Sequence, residues 1–218
     1  MAKEAGRIKK AAYVSPSITV RTDTSRKSNT EAGLTEAQRK TLAAEESRIR
    51  TQNVEHGVVI DEDGKVVSRH VGNRGAVNID VKENSVVTHN HPGADLRDTE
   101  SVYGRNSTGI AGRVGRSFSA GDIRETINGN AKEVRAVTRT YTFSLKRPAG
   151  GWGISGAEAE REYRSILTKL VTDGKSVPAA RTKAEQVRDY ARETTVLQHV
   201  ATRELARRHG WRYTRRRN

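Results

Sequence analysis

Cysteine is absent from all 218 residues. That removes disulfides and thiolate metal sites together, so any bound metal must be held by histidine, carboxylate or water. It also excludes the zinc deaminase pattern, which needs a Pro-Cys-x-x-Cys after a His-x-Glu. Aromatic residues are only 5% of the chain, too few for a base-stacking surface. Trp152, Trp211 and Tyr213 are therefore read as packing residues. No apolar run approaches the roughly 18 residues that span a bilayer. The basic segment Met1 to Ser15 lacks the apolar stretch of a secretory signal. The expectation is no membrane and no secretion. Apolar residues are scarce too, at 33%, and mean hydropathy is −0.78. One compact unit with solvated or partner-ordered flanks suits that composition better than a core spanning the whole chain.

What is abundant is positive charge. Forty Lys and Arg stand against 26 Asp and Glu, a formal net charge of +14. Such a balance points to an acidic partner, nucleic acid included, without implying sequence-specific binding. The Arg cluster Arg207, Arg208, Arg212, Arg215, Arg216 and Arg217 near the carboxyl terminus is the natural anion-binding candidate.

Residues 1–34 are basic and aperiodic, an extended arm with at most a short strand at Ser17–Arg21. Thr35–Arg50 reads as a helix capped by Thr35. Strands follow at Gly57–Ile60 and Lys65–Ser68, joined by the turn Asp61-Glu-Asp-Gly64. Weak alternation suggests another at Ala76–Ile79, and Ser85–Thr88 is an apolar strand that runs into His89. A polar, glycine-rich insertion occupies 93–117. Ser119 to Asn128 is a helix capped by Ser119, and Val134 to Leu145 is one long strand with a central irregularity. After the turn at Pro148–Gly153, helices are expected over Ala157–Thr172 and Pro178–His209, then a frayed basic tail, Arg212–Asn218. The implied organisation is an arm (1–34), a metal-site domain (35–153) and a helical extension (154–218).

Chemistry concentrates in Thr88-His-Asn-His-Pro92. A strand ending in His-x-His directs both imidazoles to one side, because side chains alternate with period two. Pro92 and Gly93 then turn the chain away and leave the site open. In Phe118-Ser-Ala-Gly-Asp122, Ser119 and Asp122 share one face of a helix's first turn. Asp122 can complete a His89–His91–Asp122 ligand set, and three protein ligands with an open position mark a catalytic zinc site. Zinc acidifies its water toward neutral pH. Glu55, beginning a strand expected beside His89, can act as general base, and Ser119 can assist an oxyanion. Asp95 and Asp98 are alternative third ligands, since Pro92 to Phe118 must loop back for Asp122 to reach the metal. His56 points to the opposite strand face, and His70 and His199 lack ligand spacing.

The order Glu, His-x-His-Pro, Ser-x-x-Asp over about residues 50–145 resembles the JAMM/MPN zinc metalloproteases and isopeptidases. The resemblance implies an α/β fold, a mixed β-sheet flanked by helices and related to the zinc deaminases. It implies one zinc ion, with His89, His91 and Asp122 as ligands, Glu55 as proton shuttle and Ser119 as oxyanion helper. A narrower resemblance is to domains at the ends of phage head-morphogenesis proteins. It rests on Glu55-His-Gly-Val-Val-Ile, Tyr141-Thr-Phe-Ser-Leu-Lys-Arg-Pro, Gly-Gly-Trp152 and Leu205-Ala-Arg-Arg-His-Gly-Trp-Arg-Tyr213. It implies capsid or other virion partners and a protein substrate. Two other readings stand beside the hydrolase: a non-catalytic virion assembly protein with basic flanks on DNA or capsid, and an effector acting on a host target.

Overall fold

The computed structural model describes residues 33–92, 116–173 and 197–218. Among these, four helices flank a six-stranded mixed sheet. Helix α1 (Glu36–Ile49) precedes strands β1 (His56–Ile60), β2 (Val66–Val71) and β3 (Val86–Asn90). Helix α2 (Ala120–Asn128) leads into β4 (Glu133–Val137) and β5 (Tyr141–Lys146). Helix α3 (Gly156–Asp173), helix α4 (197–208) and β6 (Arg212–Arg217) close the chain. The strand order is β2-β1-β3-β4-β5-β6. Only the β3–β4 pair is parallel, joined by a crossover through α2.

Helix starts follow local chemistry. The Thr35 hydroxyl accepts the Gln38 N–H, and the Gln38 side chain accepts the Thr35 N–H, each at 3.1 Å. This closes a capping box and satisfies two amides with no partner inside the helix. Ser119 and Asp122 form the same device on α2, at 3.1 and 2.6 Å.

Strand alternation divides the interior into two cores. Val58, Ile60, Val86 and Val137 pack under Leu42 and Ile49 of α1. Val59, Val87, Val134, Phe143 and Leu145 face the other way, against Ile123 and Ile127 of α2, Ala159 and Tyr163 of α3, and Leu205 of α4. A central strand covered on both faces carries a continuous rather than alternating apolar run; β1 does so from Gly57 to Ile60, and β3, though buried along its whole length, turns polar at Thr88.

Three expectations are corrected. Ala76–Ile79 is not a strand. Its neighbour β1 already pairs with both β2 and β3, so no ladder is open to it. The segment is instead extended and alternates half-buried Val77, Ile79 and Val81 with exposed Ala76, Asn78 and Asp80. The long strand over Val134–Leu145 is a hairpin. The Thr138 hydroxyl accepts the Thr140 and Tyr141 N–H groups, and this reverses the chain between β4 and β5. The frayed tail is the edge strand β6, paired with β5 from Arg212 opposite Lys146 to Arg217 opposite Tyr141. It is anchored by Trp211, which is buried edge-on against Trp152 at 5.1 Å and donates its indole N–H to the Trp152 carbonyl. Trp152, Trp211 and Tyr213 are packing residues, as composition implied. The expected strand at Ser17–Arg21, the first part of the expected last helix, and Asp95 and Asp98 lie outside the described residues.

Candidate metal centre

His89 is the penultimate residue of β3 and His91 follows the strand's end. Both project onto the sheet face that α2 packs against. Their Nε2 atoms lie 2.9 Å apart, and the rings meet edge-on with centroids 4.7 Å apart. From the first turn of α2, Asp122 presents Oδ1 at 3.5 Å from His89 Nε2 and Oδ2 at 3.7 Å from His91 Nε2. The three residues' donor atoms lie within 4.8 Å of one another.

Asp122 returns to the histidines because the chain before it is tied down from below. Phe118 is fully buried. The Tyr163 hydroxyl donates to the Phe118 carbonyl at 2.8 Å. The Tyr213 hydroxyl lies 2.7 Å from Ser117 Oγ and 2.8 Å from His199 Nδ1. Helix α3 and the last strand thus fix the entry to α2, and the capping box then orients the Asp122 carboxylate through the Ser119 N–H.

Glu55 arrives on a third element. Its N–H donates to the Asn73 carbonyl at 2.7 Å, and its carbonyl accepts the Gly72 N–H at 2.8 Å. Asn90, between the two histidines, faces away from them and latches the same segment. Its Oδ1 accepts the His56 N–H at 2.6 Å, and its Nδ2 donates to the Val54 carbonyl at 3.0 Å. The His-Asn-His run therefore supplies two site imidazoles from one strand face and the support of Glu55 from the other. Glu55, His89, His91, Ser119 and Asp122 all line one cavity of about 510 Å³.

The electrostatics distinguish the groups. Burial raises the Glu55 pKa. The His89 charge opposes that rise, and the Asp122 charge adds to it. A carboxyl held up in this way is suited to taking and passing a proton. Burial, then the charge of His89, push His91 down to about 3. His91 is therefore neutral, and its Nδ1–H donates to the Arg116 carbonyl at 3.2 Å. That bond leaves the Nε2 lone pair facing the cluster, as a metal ligand requires. For His89, burial disfavours the charged ring, yet Asp122 and Glu55 outweigh it and its pKa is raised. Burial would raise Asp122 as well. The His89 charge and hydrogen bond, His91 and the Ser119 N–H prevail, and its carboxyl is held well below the usual range. Two imidazole nitrogens and a carboxylate converge here, and this donor set fits one divalent transition metal.

Residues that sequence reasoning missed also line the cavity. Arg116 does so, and nothing in its sequence context marks it. The apolar Val77, Ile79, Val81, Val87 and Val134 do as well; the alternation at 77, 79 and 81 was the visible signal. None of the six arginines expected to bind anions lines the cavity. Arg207 pairs with Glu204 at 2.9 Å. Arg208 pairs with Glu162 at 2.8 Å and Glu204 at 2.9 Å. Arg212, Arg215, Arg216 and Arg217 lie on β6, with the Arg215 guanidinium 5.0 Å from the centre of the Tyr141 ring. His56, His70 and His199 stand outside the cavity.

Compared with known proteins, the chain matches no family model, no curated protein and no solved structure. No described helix is long and apolar enough to cross a membrane. The grouping of His89, His91 and Asp122 is thus read from the chain's own geometry.

Proposed function

We propose that the chain is a single-zinc hydrolase of peptide or isopeptide bonds, of the JAMM type, in a phage-related, head-associated protein. The observation that carries the catalytic part is the convergence of His89, His91 and Asp122 on one point, with Glu55 on the same cavity. The phage setting rests on the sequence resemblance alone.

The two imidazoles and the Asp122 carboxylate would hold the ion. When bound, zinc acidifies a water molecule and polarises the scissile carbonyl. Glu55 takes the proton that the attacking water gives up and delivers it to the leaving amine. Its burial and its tether between Asn73 and Gly72 keep the carboxylate at the cavity without a conformational search. Ser119 Oγ accepts the Asp122 N–H through one lone pair, so its own O–H is free to donate to a developing oxyanion. Its backbone N–H meanwhile holds the Asp122 carboxylate in place.

Elemental mass spectrometry on wild type and on His89→Ala, His91→Ala and Asp122→Ala tests the ligand set. The expected result is one zinc per chain, lost in each variant. An absence of metal after reconstitution would sink the hydrolase and leave a fold used as a virion or nucleic-acid-binding part. Co-purification with phage capsids tests the setting separately.

A further inference from the structure

The cavity holding the metal ligands has two unlike ends. Glu55, the metal ligands and Arg116 form the polar end. Ile79, Val81, Val87 and Val134 form the other. Val87 stands two residues before His89 on the same strand face, so the apolar end begins beside the ligands. Val87 and Val134 are each 2% exposed and make the floor. Ile79 and Val81 make the wall, which is seated on two glycines. A Cβ at Gly57 would stand 2.4 Å from Ile79 Cδ1, and one at Gly129 would stand 2.4 Å from Val81 Cγ1. Any other residue at either position would displace the wall. Where the cavity opens, Arg124 pairs with Glu125 at 2.7 Å and with Glu160 at 2.9 Å, and Glu160 pairs in turn with Arg164 at 2.7 Å, so the charges there balance.

Arg116 is different. Among the described residues its guanidinium has no hydrogen-bond or ion-pair partner, yet its charge acts on Glu55, His89, His91 and Asp122. With a divalent ion in place, Asp122 and Glu55 offset the ion, and Arg116 leaves one positive charge uncompensated. A low-dielectric cavity with one spare positive charge selects a monoanion. A guanidinium offers paired N–H donors that match a carboxylate.

We infer that the cavity binds the carboxyl-terminal residue of a peptide, its free carboxylate on Arg116 and its aliphatic side chain against Ile79, Val81, Val87 and Val134. This rests on the hydrolase reading and narrows it to release of a terminal aliphatic residue. In that reaction the amide C–N bond breaks and a C–O bond forms from water. One water proton passes through Glu55 to the leaving amine, and the new carboxyl gives up the other to solvent.

The test is binding, read from methyl resonances of isoleucine- and valine-labelled protein titrated with N-acetyl-L-leucine or N-acetyl-L-leucinamide. The acid is expected to move the Ile79, Val81, Val87 and Val134 methyls and to bind about tenfold or more tightly than the amide. Arg116→Gln is expected to remove that preference, and Arg116→Lys to restore part of it. Equal binding of acid and amide to wild type would overturn the assignment without any variant. So would a preference that survives Arg116→Gln, or shifts confined to other methyls. Zinc content measured on the same samples separates the two readings. A chain that prefers the acid but holds no metal keeps the subsite and loses the hydrolase, and the converse result does the reverse.

Discussion

Two groups of buried charges lie on opposite faces of one sheet, and they are built on different terms. On the α1 face, Arg135 donates Nε to Glu46 at 2.5 Å and Nη1 to Glu133 at 3.1 Å. Ser144 donates to Glu133 at 2.6 Å, and Lys146 stands 3.1 Å from it. Every member has a partner of opposite sign, and Arg135, Glu46 and Glu133 are each no more than 3% exposed. On the α2 face, Glu55, His89, His91 and Asp122 are crowded together around one cavity. Among the described residues the buried Nδ1 of His89 has no hydrogen-bond partner, and unlike Glu133 Oε2, which Lys146 faces at 3.1 Å, it has no ion-pair partner either. A network closed within the chain holds α1 to the sheet. A cluster that is not closed in this way could hold a metal ion, and that asymmetry distinguishes the two groups.

The largest expected effect falls on the open cluster. Glu55→Gln should lower peptide hydrolysis by about 10²–10⁴-fold while zinc content stays at the wild-type level. Unchanged turnover would remove Glu55 from the chemistry. The closed network should respond in stability instead. Arg135→Met strips the buried Glu46 of its cationic partner and leaves Glu133 with Lys146 as its cation, and should cost about 3–5 kcal/mol in denaturant unfolding. A loss under about 1 kcal/mol would mean that the network is not the fastening it resembles.

A smaller effect sharpens the contrast through pH. Burial, then the charges of Arg215 and Arg203, lower His199 to about 4. Unfolded, the same imidazole titrates near 6.5. Between those values the unfolded chain binds more protons than the folded one, so stability is full above about 6.5 and falls as pH drops toward 4. The loss attributable to His199 should be about 3 kcal/mol. Unfolding of metal-free His199→Gln across that range should show a shallower decline than wild type; parallel curves would assign the decline elsewhere. The smallest effect concerns the device that joins fold to site. Ser119→Ala removes one half of the α2 capping box and should cost about 1 kcal/mol. Because the same box orients Asp122, zinc affinity should fall as well. A cap loss with unchanged affinity would show that the Asp122 carboxylate is held by the histidines alone.

Much of this was legible in the residues themselves. Period-two alternation is local geometry, so His89-Asn-His91 declared that two imidazoles share a face before any strand was placed. The capping signatures at Thr35 and Ser119 are equally local, and both helices start where they said. Pattern reading failed where the decisive partner is distant in sequence. Val77, Ile79 and Val81 alternate like a strand, but both edges of β1 were already taken. The arginine-rich tail looked solvated because its charges are visible in sequence and its anchor, Trp211 against Trp152, is a long-range contact. Arg116 carried no local mark, since only the fold brings it to the cavity. Nor could sequence decide between Asp122 and the nearer Asp95 and Asp98. Bringing Asp122 to the histidines required Tyr163 and Tyr213, from α3 and the last strand, to hold the residues before it. The chain's own pattern therefore determined which residue types could carry the chemistry and on which face each would stand. Only tertiary packing decided which of them meet, because loop closure across a long segment is set by distant anchors rather than by the residues it joins.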